Sequence, residues 1–365
     1  MSAFENQVAQ ALRDPLARAR THAAQGQKVI GFVGAEIPVE LIAAGGAYPV
    51  RLASAVGAKT DLADRYLEST FMPDVRSIAE QYLQGALNFM HSIILPRSDD
   101  SAQRLYYYLS ELRPRQLPAA PVPLIFDLAK IPRESSRLHS RLATQRLAAE
   151  IGVVPNALPG AIRQRNRRRE LFLRAMQLRQ RPCGIRGSVM DRIFRIADLC
   201  DADPFDGDFG EWLSRGDPAG SGPRLLLIGS SPPDERLHAA VEAGGGNVVS
   251  EGDAHASRSV SSPLIPAEGS LDAIADHYHA LPVSSRAFID RAAALKRLAK
   301  SVAADGVIIW LIEEEDALIW DLPAEMSALQ ASGTPTLRLV RRRWDLSDGA
   351  LEEITSFTRG LKGTA

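Results

Sequence analysis

Three short segments carry the side chains best suited to chemistry. Glu313-Glu314-Glu315-Asp316 follows the apolar run Val307–Ile312, and Ser98-Asp99-Asp100 follows the apolar run Ser92–Leu95 through Pro96 and Arg97. A third segment, Glu68 to Ser77, holds Met72, Pro73 and Arg76 ahead of a helical pattern. Gathered carboxylates are hard oxygen donors suited to Mg²⁺ or Mn²⁺, and paired ones also act as general acid and base. The plainer reading of the acidic run is a solvated turn or the start of a helix, where the dipole favours negative charge. That plainer reading is the expectation, with metal binding as its alternative.

Other motifs carry less. Gly31-Phe32-Val33-Gly34 lacks the Gly-x-Gly-x-x-Gly spacing, so no dinucleotide site is read. Gly244-Gly245-Gly246 precedes a strand pattern rather than a helix, the wrong end for cradling phosphate. His277 and His279 lie two apart and share no helix face, which points to a surface role rather than metal ligation. Arg163, Arg165, Arg167, Arg168, Arg169, Arg174 and Arg179 would attract phosphates, but the expected role is the polar face of an amphipathic helix. No Ser/His/Asp grouping is indicated.

The elements that must position these segments read as parallel α/β structure, because short apolar runs alternate with helical patterns. In the first half, strands are expected at Val29–Val33, near Pro49–Leu52, at Ser92–Leu95 and at Val122–Phe126, the last an edge strand because of its prolines. Helical patterns cover Val39–Ala44, Ile78–Leu87 and Ala102–Leu112. The second half repeats this layout, with strands at Leu225–Ile228, Asn247–Val249, Val307–Ile312 and Thr336–Val340 and helices at Glu235–Glu242 and Ala324–Ala331. First strand to glycine pair spans 16 residues in one half and 19 in the other, and third strand to fourth spans 32 and 30. The reading is a degenerate internal repeat of two Rossmann- or flavodoxin-like units, each with a four-stranded parallel sheet.

Between the halves lie helical patterns at Arg133–Ile151, Ala161–Gln180 and Asp191–Leu199. The Asp-, Gly-, Pro- and Ser-rich stretch from Asp201 to Pro223 reads as a linker, and Ser250–Ser270 as loop. The expected organisation is an N-terminal helix over 1–28, a first α/β unit over 29–132, a helical region over 133–205, a linker over 206–223 and a second α/β unit over 224–365. In open parallel sheets ligands collect at the carboxyl ends of strands, which is where all three chemical segments fall.

Composition narrows the function. The chain has 365 residues, 43 basic and 44 acidic, so a general phosphate-driven nucleic-acid binder is not expected. No stretch approaches the length of a membrane span, and Met1 to Gly26 carries Arg13, Asp14, Arg18 and Arg20 without an apolar signal core, so a cytoplasmic protein is expected. The two cysteines, Cys183 and Cys200, exclude a disulfide framework and any four-cysteine site built by one chain.

In these features the chain resembles the D-component subunits of 2-hydroxyacyl-CoA dehydratases and the related subunits of benzoyl-CoA reductases. The resemblance runs from about Gln27 to Gly360. It rests on Ile37-Pro38-Val39-Glu40-Leu41 through Ala44-Gly45-Gly46 to Pro49-Val50, on Ile94-Leu95-Pro96 with Arg104-Leu105-Tyr106, and on Ala161-Ile162 with Asn166-Arg167-Arg168. It continues in Gly244-Gly245-Gly246-Asn247-Val248-Val249 and Asp305-Gly306-Val307-Ile308. It implies a [4Fe–4S] cluster held by three cysteines, one in each chemical segment. The matching positions here are Met72, Asp99 (or Ser98 in a shifted register) and Glu315, none of them a cysteine. Soft thiolates match cluster iron, whereas a thioether and hard carboxylates do not. Cys183 and Cys200 match no ligand motif and read as small buried apolar residues. No cofactor is therefore expected in this chain.

Glu40, Arg76, Ser98, Asp100, Glu314 and Asp316 complete the candidate cleft residues. The resemblance implies a paired subunit and a separate ATP-driven activator that delivers a low-potential electron to an acyl-CoA thioester. Three functions follow. The first is a cluster-free subunit, scaffold and part of an acyl-CoA pocket beside a cluster-bearing partner. The second is a non-enzymatic homodimeric binding or regulatory protein, and the third a repurposed carboxylate enzyme acting on acyl-CoA with or without a divalent metal. No nucleic acid or membrane partner is expected.

Overall fold

Central strands buried on both faces need apolar side chains throughout, and the chain supplies them twice. In a computed structural model that describes residues 3–181, 184–215, 222–253, 256, 264–282 and 288–361, β1 (Val29–Phe32) and β3 (Ser92–Pro96) are buried along their whole length. They pair in parallel with each other and with β2 (Tyr48–Arg51) and β4 (Val122–Phe126), in the order β2-β1-β3-β4. β4 lies at the edge, where Pro123, lacking an N–H, costs no ladder bond on the open side. The second sheet repeats the order as β6-β5-β7-β8, from β5 (Arg224–Gly229), β6 (Asn247–Gly252), β7 (Gly306–Ile312) and β8 (Thr336–Arg342). The fold is two all-parallel α/β units of the Rossmann or flavodoxin kind.

In each sheet the chain reverses its direction of travel between the first and third strands. Their carboxyl ends therefore form a switch point at which successive loops diverge and leave room for a site. Gly229 closes β5 there with φ 110°, and a Cβ at this position would come 2.2 Å from the carbonyl oxygen of Trp310, so glycine is required.

The residues divide into two units. One comprises Met1–Arg169, Ile196–Asp206 and Ser261–Phe288, the other Glu170–Arg195, Gly207–Val260 and Ile289–Ala365. In the first, Ile30, Phe32, Ile94, Leu124 and Phe126 of the sheet share a core with Leu41 and Ile42 of α3 (Val39–Ala44), Leu147 of α6 (Glu134–Ile151) and Ile162 of α7 (Leu158–Arg179). Ile274 and Tyr278 of α11 (Leu271–Ala280) complete it. In the second, Leu226, Ile228, Val307, Ile309 and Leu311 pack with Leu295 and Ala299 of α12 (Arg291–Ser301) and Leu322 and Leu329 of α13 (Leu322–Ala331). The remaining helices of these units are α1 (Ala3–Arg13), α2 (Ala17–Ala24), α4 (Pro73–Leu83), α5 (Asp100–Gln116), α8 (Gly187–Ile196), α9 (Ala202–Arg215), α10 (Arg236–Ala243) and α14 (Ala350–Gly360).

Two expectations of organisation need correction. The linker expected over 206–223 is largely helix α9, with residues 216–221 outside the described part. Its Asp and Gly content masked Phe205, Phe209 and Trp212, whose helical spacing buries them to 0%, 0% and 5% exposure. Nor do the helices expected as a separate region over 133–205 form one: α6 belongs wholly to the first unit, and α8 almost wholly to the second. α6 buries Leu147 and Ala148 in the first core, while Phe194 of α8 stacks on Phe172, choices that local periodicity does not encode. The N-terminal helix expected over 1–28 is two helices, α1 and α2.

Candidate functional site

At the carboxyl edge of the first sheet, two of the three chemical segments meet. The Met72 N–H donates to Ser101 Oγ at 3.0 Å, which ties the entrance of α4 to the first turn of α5. Pro73 starts α4, a position where its missing N–H would be unpaired in any case. Asp99 caps α5, its Oδ1 accepting the Ala102 N–H at 2.7 Å. Ser98 is buried beside it.

Asp74, one residue inside α4, was not singled out from the sequence. Burial and the neighbouring Asp99 charge push its carboxyl up to about 6, while its own helix-end N–H bonds and Arg51, at the end of β2, act in the opposite sense. A carboxyl raised toward neutrality beside a second carboxylate is an arrangement that general acid–base chemistry uses. The available signal was Pro-Asp at a helix start, which places a second acid on the edge already carrying Asp99.

The other candidates of this unit are fastened locally. Asp100 pairs with Arg104 at 3.1 Å, and the Arg104 guanidinium lies 4.1 Å from the centre of the Phe71 ring and donates to Thr70 Oγ1 at 3.0 Å. Arg76 pairs with Asp64 and donates to the Glu68 carbonyl at 2.8 Å. Glu40 is buried in α3, where it pairs with Arg169 at 2.6 Å and accepts from the Tyr278 hydroxyl at 2.9 Å. Burial alone would raise its carboxyl, but the charges of Arg169 and Arg165 hold it below the ordinary carboxylate range. Glu40 is thus an internal anchor of the first unit.

At the carboxyl edge of the second sheet, Glu315 Oε1 accepts the N–H groups of Ala317 and Leu318 at 3.1 and 3.0 Å, opening the 3₁₀ turn Leu318–Trp320. Glu313 and Asp316 are exposed and Glu314 is half-buried. The run is accordingly a solvated turn that starts a helical segment. Among the described residues no group of three or more His, Cys, Asp or Glu is placed to hold a metal ion. Glu315 belongs to the second unit, Met72 and Asp99 to the first.

The arginine helix departs from expectation. Of its seven arginines, Arg163, Arg167 and Arg174 are exposed, but Arg165, Arg168, Arg169 and Arg179 point inward. They pair with Asp198 at 2.6 Å, Asp206 at 2.7 Å, Glu40 at 2.6 Å and Glu251 at 2.7 Å. The overlooked signal was register, since Arg169 and Arg179 fall on the same 3–4-residue repeat as the buried Ile162, Phe172 and Ala175. The Arg179 pair is bidentate, and His238 Nε2 lies 3.0 Å from Glu251. Burial would raise Glu251, yet Arg179 and then His238 bring it down to about 2, while burial and the Glu251 charge push Asp253 up to about 6.

Cys200 is a free, buried thiol, pushed up to about 11 chiefly by burial, and it lines a pocket of about 330 Å³ in the first unit with Tyr48 and Arg165. The expectation for Cys183 falls outside the described residues. His277 and His279 sit on α11, with His279 Nδ1 3.1 Å from Ser140 Oγ. Among the described residues no helix is long and apolar enough to cross a membrane.

Two parallel sheets with repeated switch points, each edged by helix starts and carboxylates, define a doubly wound α/β protein with two like halves. The model of the family 2-hydroxyglutaryl-CoA dehydratase, D-component, matches residues 35–354, and the chain belongs to that family, described as one component of a dehydratase. No curated protein matches the chain. The [4Fe–4S] group that the resemblance implies calls for thiolates, and the three positions matched to its ligands do not supply them. Met72 offers a neutral thioether, and Asp99 and Glu315 offer hard oxygens already engaged with backbone N–H groups.

Proposed function

We propose that this protein is a cluster-free subunit of a dehydratase- or reductase-like assembly, serving as scaffold and as part of an acyl-CoA pocket beside a cluster-bearing partner. One observation carries the reading. Asp99 and Glu315, two of the three positions that the resemblance matches to cluster ligands, carry carboxylates that cap helical segments in a chain of the dehydratase family. Loss of the thiolates removes the electron relay but leaves the frame that holds a partner and a substrate. Iron and acid-labile sulfide assays on anaerobically purified chain test the first half, with amounts far below one cluster per chain expected. Co-purification from the native source tests the second half, with a cysteine-bearing relative expected in the complex. Stoichiometric iron and sulfide, or a chain always alone or self-paired, would sink the proposal.

The Asp74–Asp99 pair favours one further reading, a carboxylate acid–base site on the same edge. Asp74, titrating at about 6, would exchange a proton with a substrate at that edge. Asp74→Asn and Asp99→Ala each abolish turnover of acyl-CoA substrates on that reading, and unchanged turnover in both removes it.

A further inference from the structure

Trp320 is 84% exposed, whereas Trp212 and Trp310 are 5% and 0% exposed. Folding ordinarily hides an indole, and exposed tryptophans concentrate where another protein lands. Trp320 ends the turn opened by Glu315 at the carboxyl edge of the second sheet. Ile289, 41% exposed, stands just before α12, and the Arg291–Asp321 pair at 3.0 Å joins its segment to that of Trp320. A second exposed apolar side chain thus lies on the segment tied to that of Trp320.

The segment that carries Trp320 has charge of one sign. From Glu313 to Leu337 the chain has six carboxylates, at Glu313, Glu314, Glu315, Asp316, Asp321 and Glu325, and no Lys, Arg or His. Nearby bases are largely committed: Arg291 to Asp321, Arg342 to Asp348 and Glu353, Arg343 to Asp345. Arg338 and Arg341 are the exposed bases on the adjoining strand β8. Such a surface repels phosphates, nucleic acid and anionic lipid, and being exposed rather than concave it suits a polypeptide better than a small molecule.

We propose that this face docks an arginine-bearing segment of a partner protein. A guanidinium stacks on the Trp320 indole while Glu313 and Asp316 receive its other donors. Arginine is favoured over lysine because a planar cation covers an aromatic face and still presents its N–H groups to carboxylates. The proposal rests on the second unit alone and holds whether or not the chain lacks a cluster.

Dye-labelled hexa-arginine amide, titrated against the full-length chain and followed by anisotropy, tests it. Saturable binding is expected, weakened by added salt and tighter than that of hexa-lysine amide. Trp320→Ala and the double variant E313Q/D316N should each weaken hexa-arginine binding by about threefold or more. All three positions are exposed, so circular dichroism should match the parent chain. Equal binding by Trp320→Ala and the parent, or equal binding of the two peptides, would overturn the aromatic contact. A parent chain that is dimeric by light scattering and becomes monomeric in Trp320→Ala would overturn it too, since a second copy would then be the occupant.

Discussion

Asp74 shows how one carboxyl acquires a function-like property from its surroundings. Its ordinary value is 3.8 and its folded value about 6, so between those values the folded chain keeps a proton that the unfolded chain has released. Stability therefore falls as pH rises through that window and stays lower above it. Asp74→Asn removes the penalty and should stabilise the protein at pH 7 by about 1–2 kcal/mol, a figure reduced because the side chain is half-buried rather than sealed. Urea titrations at pH 7 and below pH 4 check this, and the gain should vanish at the lower pH. Asp99 has the opposite use: Asp99→Ala should cost about 1 kcal/mol through loss of the α5 cap, while Asp99→Ser should retain most of it.

At the scale of elements, α7 carries the clearest lesson. Its extent was legible, Ala161–Gln180 expected against Leu158–Arg179 found, because apolar spacing marks a helix. Its charges were misread, because a charged residue on a buried stripe is stable only when a partner from elsewhere meets it, and that partner is distant in sequence. Glu251 lies 72 residues from Arg179. Arg179→Met should therefore cost about 3–5 kcal/mol by leaving the buried Glu251 carboxylate with His238 alone, whereas Arg174→Met, on the exposed face of the same helix, should change stability by less than about 0.5 kcal/mol. Chemical denaturation of both variants distinguishes them. The helix α9 failed in the converse way, its aromatic repeat overruled by a polar composition that does no harm on the outer face.

For the whole molecule, the first unit is discontinuous along the chain. Its Arg165, Arg168 and Glu40 meet Asp198, Asp206 and Tyr278, which come from Ile196–Asp206 and Ser261–Phe288. A fragment ending at Arg169 leaves Arg165 and Arg168 without Asp198 and Asp206, takes the Tyr278 hydroxyl from Glu40 and uncovers the core face that Ile274 and Tyr278 close. Residues 1–169 expressed alone should lack a cooperative thermal transition by circular dichroism, despite containing a complete four-stranded sheet. A cooperative transition resembling that of the full chain would contradict this account.

The amino-acid sequence determined the strands, the repeated layout, the edge placement of β4, the carboxyl-edge position of the chemical segments and the want of thiols in them. Each of these follows from local periodicity, turn chemistry or residue type, all of which are written within a few neighbouring positions. Tertiary structure alone decided which arginines are internal, which core each connecting helix serves and that Asp74 lies close enough to Asp99 to hold its proton. Those outcomes depend on burial and on charges brought from distant parts of the chain, where a change of a few ångströms alters the energy of an ion more than any local preference does.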